Sequence, residues 1–386
     1  MKHSQPQASH VVKRWIAAIL GGQGTQWPSE LTASIEAVCD QAATEGVAAL
    51  LYSELCDGRS QIVVPAALKQ RLSGPHARAA AIEIMRQAET ERVVSALQLA
   101  GIPVLVLKGA ALARWAYREP HHRSRDDLDL LFSDEAMVSA SETVLATLGY
   151  VVESILVNGT NYERTLHFQT PHGLTWYIDV HWRMSNHPVF ANRFDYRELD
   201  LCAVTYPGPP PIRGLGRVHA FFNAAIHRIS NILMGSGERL IWLYDFHSIG
   251  RHLTPEDWVE IVELAERRQL AGPCASAMHL CAEWFKTQWP ADALKRMDEL
   301  AQTEPFNVER GHLRWYFEWQ TLGSLPYSDK FRFAFRKLLP EREYMYQRYQ
   351  LTGDRQLPRA YLRRWAVGLS ALWRGVRDRK RSTRQQ

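Results

Sequence analysis

The sequence predicts an α+β protein: a small mixed β-sheet with flanking helices, embedded between N-terminal and C-terminal helical regions. Three observations carry this. From about Glu30 to Ala100, apolar residues recur three and four apart, the repeat of one helix face. From Val104 the pattern changes to short continuous apolar runs separated by turn residues and single helices. Beyond the proline-rich stretch Pro207–Pro211 the helical repeat returns. A chain of 386 residues has room for two or three packed units. We divide it into an N-terminal helical region (1–100), an α/β core (101–206), a C-terminal helical domain (212–350) and a basic amphipathic tail (355–386).

In chain order, the alanine-rich stretch Cys39–Leu55 reads as helix, as does Ala77–Ala100 with Ile82, Met85, Val93 and Leu97 on its apolar face. Pro65 and Gly74-Pro75 are expected to break this region into separate helices, and Gly101-Ile102-Pro103 to end it. Val104–Leu107 reads as a buried strand, Ala110–Tyr117 as a helix, and Pro120–Arg123 as a loop. Leu128–Phe132 is a second strand. Ser133 is the expected N-cap of a helix over Asp134–Leu148, which Gly149 stops. Tyr150–Val157 is again strand-like. Arg164–Gln169 and Leu174–Trp182, on either side of Thr170-Pro171-His172-Gly173, read as a hairpin.

Pro207–Pro211 marks a boundary. In the helix that follows it, Val218, Phe221, Phe222, Ala225 and Ile229 share one face, with His219, Asn223 and His227 on the opposite one. Arg239–Ile249 is apolar nearly all round and predicts a buried helix, in which Asp245 needs a partner such as Arg239 or a histidine. The aromatic residues in His312–Trp319 and Tyr344–Tyr349 are expected to pack in the core.

Composition excludes several function classes. The 46% hydrophobic and 23% charged fractions are those of a globular protein. No apolar run reaches the roughly 18 residues that span a bilayer. Trp15–Leu20 is too short for a secretory signal, and the five scattered cysteines include no CxxC pair, so we expect a cytoplasmic protein. The net charge of +5 is unevenly placed: residues 355–386 hold ten basic residues and one acid, Asp378, leaving the rest of the chain at −4. A template-reading polymerase is therefore not expected. Within the tail, Trp365–Trp373 is an apolar stretch flanked by arginines. We expect it to dock on its own domain, with an anionic membrane surface on the inner face or an acidic partner as the alternatives.

The chemistry concentrates between residues 108 and 181. On a strand, Asp127 and Asp129 project from one face and Asp126 from the other. Two carboxylates held side by side repel unless a cation sits between them, and hard oxygen donors suit Mg2+ or Mn2+. Asp179, in Trp176–Val180, supplies a third carboxylate if its strand neighbours that pair, a set able to hold two metals. His181 lies two residues on, on the same strand face. Gly109 stands where the first strand turns into a helix, so the backbone of Gly109 and Ala110 can approach phosphate oxygens at a helix N-terminus. Lys108, Arg123 and Arg125 add cations suited to a triphosphate. His227 is a candidate contact for the acceptor.

Lys108-Gly109-Ala110-Ala111, followed by Arg123 or Arg125 and then Asp127-Leu128-Asp129-Leu130-Leu131, resembles the polymerase-β-like nucleotidyltransferase superfamily. More closely, it resembles a bacterial nucleotidyltransferase family with a Lys-Gly-Ala-Ala motif ahead of its Asp-x-Asp. The likeness runs over about Ala33–Tyr349. It implies metal-dependent transfer of a nucleoside monophosphate from an NTP to an acceptor, with Asp127, Asp129 and Asp179 as metal ligands and the third carboxylate helping to deprotonate the acceptor. One departure stands out: where the superfamily has Gly-Ser or Gly-Gly, Ala110 follows Gly109, so a hydroxyl contact to phosphate is missing. Two other readings stay open, transfer of a sugar from a nucleotide sugar and a non-catalytic nucleotide- or partner-binding module.

Overall fold

The computed structural model describes residues 5–24, 26–28, 35–57, 63–153, 162–171, 173–208, 210–308, 314–325, 327–340 and 342–367. The chain opens with four helices: α1 (Gln5–Leu20), α2 (Ile35–Thr44), α3 (Ala48–Cys56) and α4 (Ala66–Leu99). The stretch Cys39–Leu55 is two helices rather than one, because Gly46 takes φ +74° between α2 and α3, a backbone that side chains disfavour. The expected break at Gly74-Pro75 does not occur, and α4 runs through it. Proline removes the bond to the carbonyl of Arg71, but Arg71 and Pro75 both face solvent, where water replaces that bond. Packing at both ends holds the helix: Leu68 and Leu72 sit in one core, Val93, Val94 and Leu97 in another.

The α/β part follows as β1 (Leu105–Val106), α5 (Lys108–Trp115), a 3-10 turn at Pro120–His122, β2 (Asp127–Leu131), α6 (Glu135–Thr147), β3 (Val151–Val152), β4 (Glu163–Gln169) and β5 (Thr175–His181). Asp134, not Ser133, caps α6: its carboxylate accepts from the backbone N–H of Met137 at 2.9 Å, and the Ser133 hydroxyl supports that carboxylate. Of the predicted strand Tyr150–Val157, residues 154–157 lie outside the described residues. The β4–β5 hairpin forms as read, with Gly173 at φ +79° in its turn. Two short helices, α7 (Pro188–Ala191) and α8 (Tyr196–Leu201), lead to β6 (Val204–Tyr206) and β7 (Ile212–Gly214). Pro207–Pro211, read as a boundary, is the loop of this β6–β7 hairpin, and the hairpin joins the sheet.

Among the described residues the sheet has the order β3-β4-β5-β2-β1-β7-β6. It is mixed: β2 runs parallel to β5 and β1 parallel to β7, while β1–β2 and β4–β5 are antiparallel. The pleat sorts side chains between two cores. Val106, Leu128, Leu130, Leu166, Ile178 and Val180 pack with Val138 and Leu145 of α6 and the end of α4. Leu105, Leu107 and Leu131 point the other way, into a larger helical core.

That larger core is built by α9 (Arg217–Leu233), α10 (Leu240–Gly250), α11 (Pro255–Arg268), α12 (Ala271–Phe285) and α13 (Ala291–Thr303), with α1 and α3 inserted among them. Trp15, Leu51, Phe221, Phe246 and Phe285 belong to one cluster, so N-terminal and C-terminal helices share a single apolar interior. Both faces of α9 are buried. His219 and Asn223, on the face opposite the apolar one, are 3% and 4% exposed, because α5, α8 and α10 to α12 pack around the helix. Next come α14 (Arg314–Ser324), α15 (Tyr327–Leu338) and α16 (Arg342–Tyr349). Of the two aromatic-rich segments, Tyr316 and Met345 are buried whereas Trp319 is exposed, and 312–313 lie outside the described residues.

Residues 357–367 are helical, and the Trp365 indole donates to the carbonyl of Leu338 at 2.7 Å. Residues 368–386, with the rest of the predicted apolar stretch and much of its arginine, lie outside the described residues. Among the described residues no helix is long and apolar enough to cross a membrane.

Candidate active site

The strand register places the carboxylates. In the parallel pair β2–β5, Asp129 lies opposite Asp179, Asp127 opposite Tyr177 and Leu131 opposite His181. Residues opposite each other share a face, so Asp127, Asp129, Asp179 and His181 all project from the sheet face away from α4 and α6. The antiparallel β4 extends this polar face, with Thr165 opposite Asp179 and Glu163 opposite His181. Asp126 points elsewhere, 3.6 Å from Arg86.

Asp129 is the hub. Its Oδ1 accepts from Lys108 Nζ at 2.6 Å and lies 3.0 Å from His181 Nε2. The other imidazole nitrogen, Nδ1, stands 3.3 Å from Glu163 Oε2, and the Thr165 hydroxyl donates to Asp179 Oδ1 at 2.7 Å. Burial pushes the Asp129 carboxyl up, but Lys108 and His181 outweigh it and hold the group far below the ordinary carboxylate range. Asp127 responds in the opposite sense: the charge on Asp129, reinforced by burial, pushes it up to about 7. Asp179 is raised by burial and by the charges of Glu163 and Asp129. One ammonium therefore faces more negative charge than it neutralises, which is the condition for cation binding.

In the turn that enters α5, Lys108 takes the left-handed region, at φ +47°. That conformation costs a non-glycine residue about 1–2 kcal/mol, here offset by the bond to Asp129. Gly109 is required for steric reasons. A Cβ on it would come within 3.3 Å of the Arg125 side chain and 3.4 Å of the Arg123 guanidinium. Ala110 is buried at the start of α5, leaving its backbone as the only polar part it can offer.

Arg123 and Arg125, expected to reach phosphate, are both committed to internal pairs. Arg123 Nε and Nη2 donate to Asp245 Oδ1 and Oδ2 at 2.6 and 2.7 Å, and the Tyr117 hydroxyl donates to the same carboxylate at 2.6 Å. Asp245 thus finds its partner in Arg123 rather than in Arg239 or a histidine, because α10 packs beside the turn before β2. Arg125 Nη1 donates to the buried Glu83 of α4 at 3.0 Å. These pairs lock the segment between α5 and β2 to α10 and α4. They position the carboxylates and leave Lys108 as the cation on Asp129.

His227 is half-buried, with its ring edge-on to Trp242 at 5.6 Å. Burial, then the charge of Lys108, lowers it to about 3, so it is neutral and lies within electrostatic reach of the carboxylate face. Glu163 and Thr165 were not foreseen. Their signal was the polar alternation Glu163, Thr165, His167 along β4, legible only once β4 is known to border β5.

The donor set fits a divalent cation. Three carboxylates converge from adjacent strands, and one ring nitrogen and two carboxylate oxygens from Asp129, Asp179 and His181 lie within 4.8 Å of one another. Residues 32–286 match the family described as "Uncharacterised nucleotidyltransferase", and the chain belongs to that family. The match covers both strands of the carboxylate pair, α9 and α10, and ends well before Tyr349, to which the sequence likeness was extended. No curated protein matches the chain.

Proposed function

From that membership we propose that the chain is a Mg2+-dependent enzyme moving a nucleoside monophosphate from an NTP to an acceptor hydroxyl or amine. The observation that carries the reading is the register: Asp129 faces Asp179 across parallel strands with Asp127 on the same face. Asp127, Asp129 and Asp179 would hold the cation, which supplies charge neutralisation at the triphosphate when bound. His181 and Lys108 fix Asp129, and Thr165 fixes Asp179. Asp179, its proton affinity raised by burial and neighbouring charge, takes the acceptor's proton as the acceptor attacks the α-phosphorus and pyrophosphate leaves. The backbone at Gly109 and Ala110 faces the phosphates at the start of α5. Tyr177, opposite Asp127 and 40% exposed, offers an aromatic surface to the base. Arg123 and Arg125 hold the scaffold rather than the substrate.

The test is incubation of each NTP with Mg2+ and a cell extract as acceptor source, with pyrophosphate release and product mass as readouts. Transfer of a nucleotide, lost in Asp129→Asn, is expected. Transfer of a hexose from a nucleotide sugar instead would move the assignment to sugar transfer.

One observation favours a second reading. Lys108 Nζ sits on Asp129 where a cation would bind, and a chain in which it stays there permanently is a non-catalytic nucleotide- or partner-binding relative. Titration of the wild type with Mn2+ separates the two: a catalytic site binds the cation and loses it in Asp129→Asn, whereas a permanent Lys108–Asp129 pair leaves the wild type without cation binding on this face.

A further inference from the structure

Away from the carboxylate face, three histidines converge. His76 lies on α4 just after Pro75, and His121 and His122 form the end of the 3-10 turn between α5 and β2. Their ring centroids are 4.7 Å (His76–His121), 6.1 Å (His76–His122) and 4.6 Å (His121–His122) apart. One nitrogen from each ring lies within 4.8 Å of the others. We infer that His76, His121 and His122 form a binding site for a divalent transition-metal ion of the Zn2+ type, with a fourth position left for water.

Two features support this independently of proximity. First, the site is built around unpartnered nitrogen. His122 is only 2% exposed, and its Nε2, like Nε2 of His121, is buried with no hydrogen-bond partner among the described residues. An orphaned buried imidazole nitrogen is unfavourable unless something occupies its lone pair. Second, His76 is already oriented as a ligand. Its Nδ1 lies 3.2 Å from the carbonyl oxygen of Ala49, which fixes the tautomer and turns Nε2 outward, the outer-sphere arrangement of metal-bound histidine. Tyr52 packs on the same ring at 4.6 Å and holds its plane. Arg118, a cation acting on His122, is paired with Asp57 and bonded to Ser53.

Three imidazoles with no carboxylate select an ion of borderline softness over Mg2+. Two nitrogens on one tetrahedral ion stand about 3.4 Å apart, so nitrogens that lie within 4.8 Å of one another need close by no more than about 1.4 Å. The ion would tie α4 to the turn that leads directly into Arg123, Arg125 and β2, and so brace the segment that presents the carboxylates. This site is distinct from the carboxylate cation site in position and in donor chemistry.

The test is equilibrium dialysis of the full chain against Zn2+ alone, with metal content read directly and Co2+ used in parallel for its visible absorption. One Zn2+ per chain should be lost, with affinity at least about 100-fold weaker, in His76→Gln and in His121→Gln, and kept in Asp179→Asn. Both histidines are partly exposed, so circular dichroism should show each variant folded; if one is not, the other gives the same reading. Unchanged uptake in either folded histidine variant overturns the inference. So does wild-type affinity for Zn2+ weaker than about 1 mM. Loss of that Zn2+ in Asp179→Asn alone would place the ion on the carboxylate face instead.

Discussion

Asp127→Asn should make the cation-free protein more stable, although it removes a residue assigned to function. The native fold holds Asp127 beside Asp129, which pushes its carboxyl from 3.8 to about 7. In the unfolded chain Asp129 remains two residues away, but water screens its charge and the burial is lost. A carboxyl raised in the folded state carries no penalty below about pH 4, where both states are protonated. The penalty then grows with pH and levels off above about pH 7. At about 1.4 kcal/mol per pH unit, the charge on Asp127 opposes folding by about 1.6 kcal/mol near pH 5 and by about 4 kcal/mol near pH 8, as upper bounds. Asparagine removes that opposition. Urea unfolding of wild type and variant in EDTA, at both pH values, measures the difference while other titrating groups cancel. The variant should be more stable, and its advantage should widen by about 2–3 kcal/mol from the lower to the higher pH. A variant equally stable or less stable near pH 8 would refute the claim that like charge is stored on this face.

Other outcomes follow from the same geometry. Asp129→Asn leaves the buried Lys108 without its counter-charge and should cost about 3–5 kcal/mol of stability, with turnover reduced at least about 100-fold. Cation affinity, read by titration calorimetry with Mn2+, should rise as pH passes upward through about 7, because Asp127 must release its proton to bind. Arg123→Ala and Asp245→Asn should each destabilise by about 3–5 kcal/mol, and the double variant little more than either, since each single change strands the other member of one buried pair. Gly109→Ala should cost about 1 kcal/mol, because its Cβ would press on the Arg123 guanidinium and Arg125 side chain at 3.3–3.4 Å.

Residues close in sequence were legible, and so was anything that follows from strand alternation. Asp127 and Asp129 had to share a face of their strand, and Asp179 and His181 a face of theirs, whatever the topology. That β5 lies directly beside β2, with Asp129 opposite Asp179, depends on strand order, which no local pattern encodes. The same holds for Glu163 and Thr165, whose part in the site exists only through the β4–β5–β2 register. The partners of the arginines were hidden for a related reason. A cation near a carboxylate motif suggests phosphate, yet the partners of Arg123 and Arg125 come from residues 245 and 83, too far along the chain to be paired by reading. Pro75 and Pro207–Pro211 show tertiary packing overriding local signals: a helix spanning two cores absorbs a solvent-facing proline, and a proline-rich loop closes a hairpin instead of separating units.

The most direct test of the carboxylate site is the unfolding free energy of wild type and of Asp127→Asn/Asp129→Asn with each NTP, in Mg2+ and in EDTA. At ligand concentrations about 100 times the dissociation constant, binding adds about 2.7 kcal/mol. The predicted result is a gain of that size with an NTP, present in Mg2+, absent in EDTA and absent in the double variant. A gain that persists in EDTA or in the double variant, or no gain with any NTP, would contradict the assignment of this sheet face as a cation-dependent nucleotidyl-transfer site.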